Sequence, residues 1–77
     1  MRSLDELGRD VLRALRDEPL DVHQLAAELA VIPVAVTAEL RALSEAGLIH
    51  GETMETGRHA WSLTVKGRAR LAGEAKR

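Results

Sequence analysis

The chain has 77 residues, 45% of them apolar and 30% charged, with Trp61 the only aromatic and 11 Lys and Arg against 12 Asp and Glu for a formal charge of −1. A chain of this length is expected to form one small domain over residues 1–77, burying about 60% of its unfolded surface and leaving little stability for an elaborate active site. The near-neutral balance provides no global field toward nucleic acid or anionic lipid, and the lack of Cys excludes disulfides, thiolate metal sites and cysteine nucleophiles.

Ser3-Leu4-Asp5-Glu6 reads as a capping box, in which hydroxyl and carboxylate satisfy the first free amides of a helix. Leu4, Leu7, Val11 and Leu15, with Ala14, repeat at helical spacing to about Arg16, where Asp17-Glu18-Pro19 ends the element. Leu20 is a short extended link. Asp21 then caps a second helix, Gln24 completes the box, and Leu25 and Leu29 mark its inner face. Pro33 suits the first position of a third helix, with Val36, Leu40 and Leu43 as its buried stripe and Gly47 as its left-handed stop. The helix, turn and helix occupy about 21–46.

The period changes after Gly47. Leu48-Ile49 opens an extended segment to about Met54, Glu55-Thr56-Gly57 supplies the turn, and His59 to Leu63 returns as a strand. Alternation puts Trp61 and Leu63 on the face that covers the helices and turns Ala60 and Ser62 to water, while His50 and His59 are expected to face each other. This wing spans about 48–63. Thr64 caps a final helix over about 65–75, on which Val65, Ala69 and Ala72 repeat beside Leu71; Gly67 and Gly73 weaken it and Lys76-Arg77 fray. The fold class is therefore mainly α with a small antiparallel hairpin.

This order, with Leu25 to Val31 leading into Val36 to Ile49, resembles the winged helix-turn-helix of bacterial regulators, the MarR-like and ArsR-like groups in particular. Leu63-Thr64-Val65-Lys66-Gly67-Arg68-Ala69 is similar to the LTxKGR segment that follows the wing in such proteins, and the likeness covers nearly the whole chain. The resemblance implies a three-helix core, a wing and a C-terminal helix that bind double-stranded DNA in transcriptional control. The third helix would enter the major groove and the hairpin would reach the backbone or minor groove. Its implied contacts are Thr37, Ala38 and Arg41 on the helix, whose outward positions also include Ile32, Val34 and Ala35. Arg58 and His59 on the wing, with Lys66 at its base, complete the set. Arg41 suits a guanine edge, although Glu45 one turn on is an equally good ion-pair partner. One such module buries little surface, so a homodimer reading two half-sites is expected.

The sequence departs from the family pattern at several points. Ile32 stands where Ser or Thr usually precedes the helix proline, and Ala30 where the turn usually has Gly. Residues 20–50 carry Asp21, Glu28, Glu39 and Glu45 against Arg41 alone, a net −3, whereas residues 51–77 carry a net +3. Any phosphate contact would then lean on the wing and last helix. The same departures support an alternative, a protein-protein interaction module that uses an apolar strip of Ile32, Val34, Ala35 and Ala38.

No catalytic constellation stands out. The carboxylates of the first helix interleave with Arg9, Arg13 and Arg16 as a solvated face, and Ser3, Ser44 and Ser62 lack a nucleophile signature. The six glycines are scattered rather than gathered into a phosphate loop. His50 and His59 without a third and fourth ligand make a poor zinc site, so neither metal nor cofactor is expected. The longest apolar run, Leu29 to Val36, contains Pro33 and is too short to cross a bilayer. Asp5 and Glu6 stand where a signal peptide would be apolar, which points to a soluble, cytoplasmic domain without a membrane partner.

Overall fold

The computed structural model describes residues 4–75. Four helices and one hairpin follow in the predicted order: α1 (Leu4–Ala14), α2 (Val22–Leu29), α3 (Pro33–Glu45), β1 (Ile49–Thr53), β2 (His59–Leu63) and α4 (Val65–Ala75). Among the described residues, all the buried apolar side chains but Ala60 join one cluster, to which Val11 and Leu15, Leu25 and Ala26, Val36, Leu40 and Leu43, Leu48 and Ile49, Leu63 and Leu71 contribute. Ser3, half of the predicted capping box of α1, lies outside the described residues.

α1 ends two residues short of the predicted Arg16. The Leu15 N–H still donates to Val11 O (3.0 Å) and the Arg16 N–H to Arg13 O (3.2 Å), so the last turn tightens while Leu15 stays in the core. Of the expected ion pairs on this face, Arg13 meets Asp10 at 3.7 Å with Arg13 exposed and Asp10 half-buried, a long contact that adds little stability. Leu20 then exchanges two backbone bonds with Trp61, 3.1 Å from its N–H and 2.9 Å to its carbonyl. β2 therefore has partners on both edges.

The second helix begins as its sequence specifies. The Gln24 N–H donates to Asp21 Oδ1 (2.8 Å) and the Asp21 N–H to Gln24 Oε1 (2.9 Å), a reciprocal cap of about 1 kcal/mol. Leu25 and Ala26 are buried, and Leu29 is half-buried. At Ala30 the chain turns left-handed (φ 56°, ψ 43°), and the Val31 N–H closes the turn on Ala26 O at 3.1 Å. A Cβ in that region costs about 1 kcal/mol, which the packing of α2 on α3 sustains.

Pro33 opens α3, and Ile32 precedes it in extended geometry with no side-chain cap. Val36, Leu40 and Leu43 are buried as expected. Glu39 joins them at 3% exposure, its carboxylate lying over Gly8 of α1. Gly47 leaves the helix with φ 79°.

The hairpin pairs Ile49 with Leu63, His50 with Ser62, Gly51 with Trp61, Glu52 with Ala60 and Thr53 with His59. This register corrects two expectations. His50 and His59 stand on opposite faces, because partners across the ladder share a face and neighbours along a strand alternate; His50 Nε2 instead lies 3.0 Å from Ser62 Oγ. Ala60 is buried rather than open to water, since β2 is flanked by β1 and by Leu20 and a methyl group has little surface left to expose.

α4 also corrects the reading of its face. Val65 is 87% exposed, and Ala69 and Ala72 are exposed with it, whereas Gly67 and Leu71 turn inward. Thr64 caps the helix through the Gly67 N–H (3.0 Å), as predicted. Gly67 is required rather than merely tolerated, because a methyl group there would collide with the carbonyl oxygen of Leu48.

Candidate functional site

α3 and the wing enclose an open groove of ≈ 440 Å³. Val22, Leu40 and Trp61 give it apolar walls, and Thr37, Arg41, Ser44, Glu45 and His59 supply its polar edge. Three of the six predicted contact residues thus meet at one place. The half-buried Trp61 packs on the core and anchors the wing. His59 stands edge-on to it with ring centroids 5.2 Å apart at 69°. Gly51, opposite Trp61, leaves room for both rings, since a side chain there would meet His59 Nε2 at 2.5 Å.

The α3 residues differ in their commitments. Thr37 Oγ1 donates to Pro33 O at 3.0 Å, which holds its methyl group and hydroxyl on the exposed side of the first turns. Ala38 is exposed beside it. Arg41 is exposed and forms no ion pair with a described residue, so of its two alternatives the bridge to Glu45 is not made. Ile32 and Val34 are 65% and 69% exposed. Ala35, expected to face outward with them, is half-buried because it follows Val34 round toward the core face, and this narrows the apolar strip.

Arg58, Lys66 and Arg68 are engaged within the fold. Arg58 Nε lies 3.1 Å from Asp21 Oδ2, giving this wing residue the structural partner that the sequence did not suggest. Lys66 Nζ donates to Ala46 O at 3.0 Å, at the C-terminal end of α3 and away from the groove. Beside it Thr64 Oγ1 donates to Gly47 O at 2.7 Å, so the start of α4 clamps the exit of α3. Arg68 Nη1 donates to Arg16 O at 3.3 Å, tying α4 to the end of α1.

Two features were missed in the sequence: the burial of Glu39 and the second role of Asp21. Both reduce the negative charge presented by the helix-turn-helix, since Glu39 lies in the core and Asp21 is matched by Arg58. Among the described residues no three His, Asp or Glu side chains are grouped so as to hold a metal ion. No described helix is long and apolar enough to cross a membrane.

Residues 5–50 match the family model of the bacterial regulatory proteins of the arsR family. No curated protein matches the chain. Among solved structures, Lactococcus lactis ZitR is similar over 95% of this chain and 57% of its own, with 27% identity and a TM-score of 0.88. The transcriptional regulator BldR from Sulfolobus solfataricus is similar over 87% of this chain and 50% of its own, with 28% identity and a TM-score of 0.83. The adhesin competence repressor AdcR from Streptococcus pyogenes, 18% identical over 91% of this chain and 53% of its own, shares the fold with a TM-score of 0.86. The chain spans about half the length of these solved chains.

Proposed function

The chain belongs to the arsR family of bacterial regulatory proteins, and from that premise we propose that it is a cytoplasmic, non-catalytic regulator that binds double-stranded DNA through α3 and the wing. The observation that carries this reading is the groove that gathers Thr37, Arg41 and His59 at one edge, with Arg41 making no ion pair among the described residues. A guanidinium held at the edge of a helix that fits the major groove suits the O6 and N7 acceptors of guanine. The exposed side chains of Val34, Thr37 and Ala38 suit thymine methyl groups, and the apolar character of this face favours readout by shape and methyl contact. Arg58 and His59 on the wing face the backbone. Lys66 is committed to the carbonyl of Ala46 and stands outside the reading set.

One copy offers a small contact area, so we assign function to a homodimer with two α3 helices on half-sites about one helical turn apart. The test is duplex binding by the full chain across a salt series. A steep fall of affinity with salt, and a weaker, less selective complex for Arg41→Ala, support the reading. Absence of duplex binding at low salt overturns it.

A further inference from the structure

The pair formed by Arg58 and Asp21 joins the wing to the first turn of α2, and its two ends are unequally exposed. The Asp21 side chain is 13% exposed and that of Arg58 59% exposed, with Nε 3.1 Å from Oδ2. Asp21 works with both oxygens: Oδ1 accepts the Gln24 N–H that caps α2, and Oδ2 holds the arginine. The backbone of Arg58 is fixed separately, since its carbonyl accepts the Met54 N–H at 2.7 Å and its N–H donates to Thr56 Oγ1 at 3.4 Å. The side chain is therefore anchored at its root in the wing turn and at its head on α2. Beside it an open cleft of ≈ 610 Å³ runs between the two elements, lined by Val22, His23, Gln24 and Ala27 from the helix and by Arg58 and His59 from the wing.

A guanidinium carries five N–H donors, and a carboxylate gripping it side-on or end-on uses at most two, which leaves donors for a second acceptor. We propose that Asp21 is the positioning residue of the wing: it holds Arg58 by Nε so that the remaining donors engage a backbone phosphate at this cleft. The same contact binds the wing to α2, so the hairpin meets the duplex already aligned with α3. This inference rests on the DNA-binding reading and adds a residue that touches no DNA itself. The competing possibility is that Asp21 acts as an internal stand-in for phosphate and withholds Arg58; the two differ in sign.

Asp21→Asn keeps a side-chain oxygen for the helix cap and removes the charge. A double-mutant cycle with Arg58→Ala, measured on the full chain with duplex DNA, reads the coupling directly. The free protein supplies a second readout, the exchange rate of the Arg58 Nε–H and the amide relaxation of residues 54–59. The expected result is faster exchange and a looser wing in Asp21→Asn, with duplex affinity lowered by up to about fivefold, the range of an exposed ion pair. Arg58→Ala then costs less affinity in the Asp21→Asn background than in the unsubstituted protein. Glu28→Gln, which removes an exposed charge elsewhere on α2, leaves affinity unchanged or slightly raised. The proposal is overturned if Arg58→Ala costs more in the Asp21→Asn background, if Asp21→Asn and Glu28→Gln raise affinity alike, or if Asp21→Asn leaves exchange and wing order unchanged. Those failures leave duplex binding by the unsubstituted protein intact; if that binding is itself absent, the DNA reading falls and this proposal with it.

Discussion

α3 and the segment after it carry their positive charge in opposite ways. On α3 the one basic side chain, Arg41, stands exposed without an ion pair among the described residues. After Gly47, Arg58, Lys66 and Arg68 each close a contact with another element, at Asp21, Ala46 and Arg16. The acidic residues show the complementary pattern: Glu39 is in the core and Asp21 is paired, which leaves Glu28 and Glu45 exposed on the helix-turn-helix. Charge summed by segment made the wing the binding half and α3 the repelling half. Charge followed residue by residue gives α3 the open cation and makes the wing cations ties that set its position.

The comparison breaks most completely if the wing is detached from the exit of α3. Gly67→Ala drives a methyl group into the Leu48 carbonyl at the place where the Thr64 N–H bonds that same oxygen at 3.1 Å. Backbone cannot yield as a flexible side chain can, so we expect a loss of about 3 kcal/mol, the upper range for overpacking. Urea denaturation reads it as a lowered midpoint with an unchanged slope. An unchanged midpoint would mean that α4 is not seated against Leu48.

The next effects separate α3 from the wing by function rather than stability. Arg41→Ala is expected to leave the midpoint within about 0.5 kcal/mol, as for other exposed sites, while costing duplex binding about 1–3 kcal/mol. The loss should be concentrated at one base position when operator variants are compared. Val34→Glu adds a negative charge to the exposed first turn of α3 and is expected to weaken duplex binding about tenfold through phosphate repulsion. If Val34→Glu instead changes the mass of the free protein and spares the duplex complex, this face is a contact between copies. Ala30→Gly acts on the turn alone and should stabilise the fold by about 0.5 kcal/mol, since glycine adopts φ 56° without the Cβ penalty but gives up some of that gain as backbone entropy.

The elements were legible because their punctuation is local. Asp21 with Gln24, Pro33, Gly47 and Thr64 each act on amides or dihedrals within a few residues, and each stands where the sequence put it. The faces of α4 and β2 were less legible because partners distant in sequence decide them. Gly67 lies against Leu48, and Ala60 is buried on a strand flanked on both edges, contacts that no local pattern encodes. Glu39 is a different case: with Val36, Leu40 and Leu43 it completes the i, i+3, i+4, i+7 stripe of α3, so its burial was written in the spacing and obscured by its charge. The roles of Asp21 toward Arg58 and of Lys66 toward Ala46 left no local trace, since each joins elements that only the folded chain brings together.

Lys66 gives the smallest effect and the sharpest separation. Its ammonium caps a carbonyl at the C-terminal end of α3, where the helix dipole favours a cation by about 0.5 kcal/mol at an exposed site. Lys66→Met keeps the apolar stem and removes the charge, so the stability loss should be of that size and should shrink as salt is added. The salt dependence of duplex binding should stay parallel to that of the unsubstituted protein, because a residue that neutralises no phosphate releases no counterion. A slope lowered by about one, with stability unchanged, would move Lys66 into the phosphate-binding set and make the base of the wing part of the DNA surface. The salt slope tells the two outcomes apart: an ammonium whose remaining donors reach a phosphate releases a counterion, and one engaged at the Ala46 carbonyl alone does not.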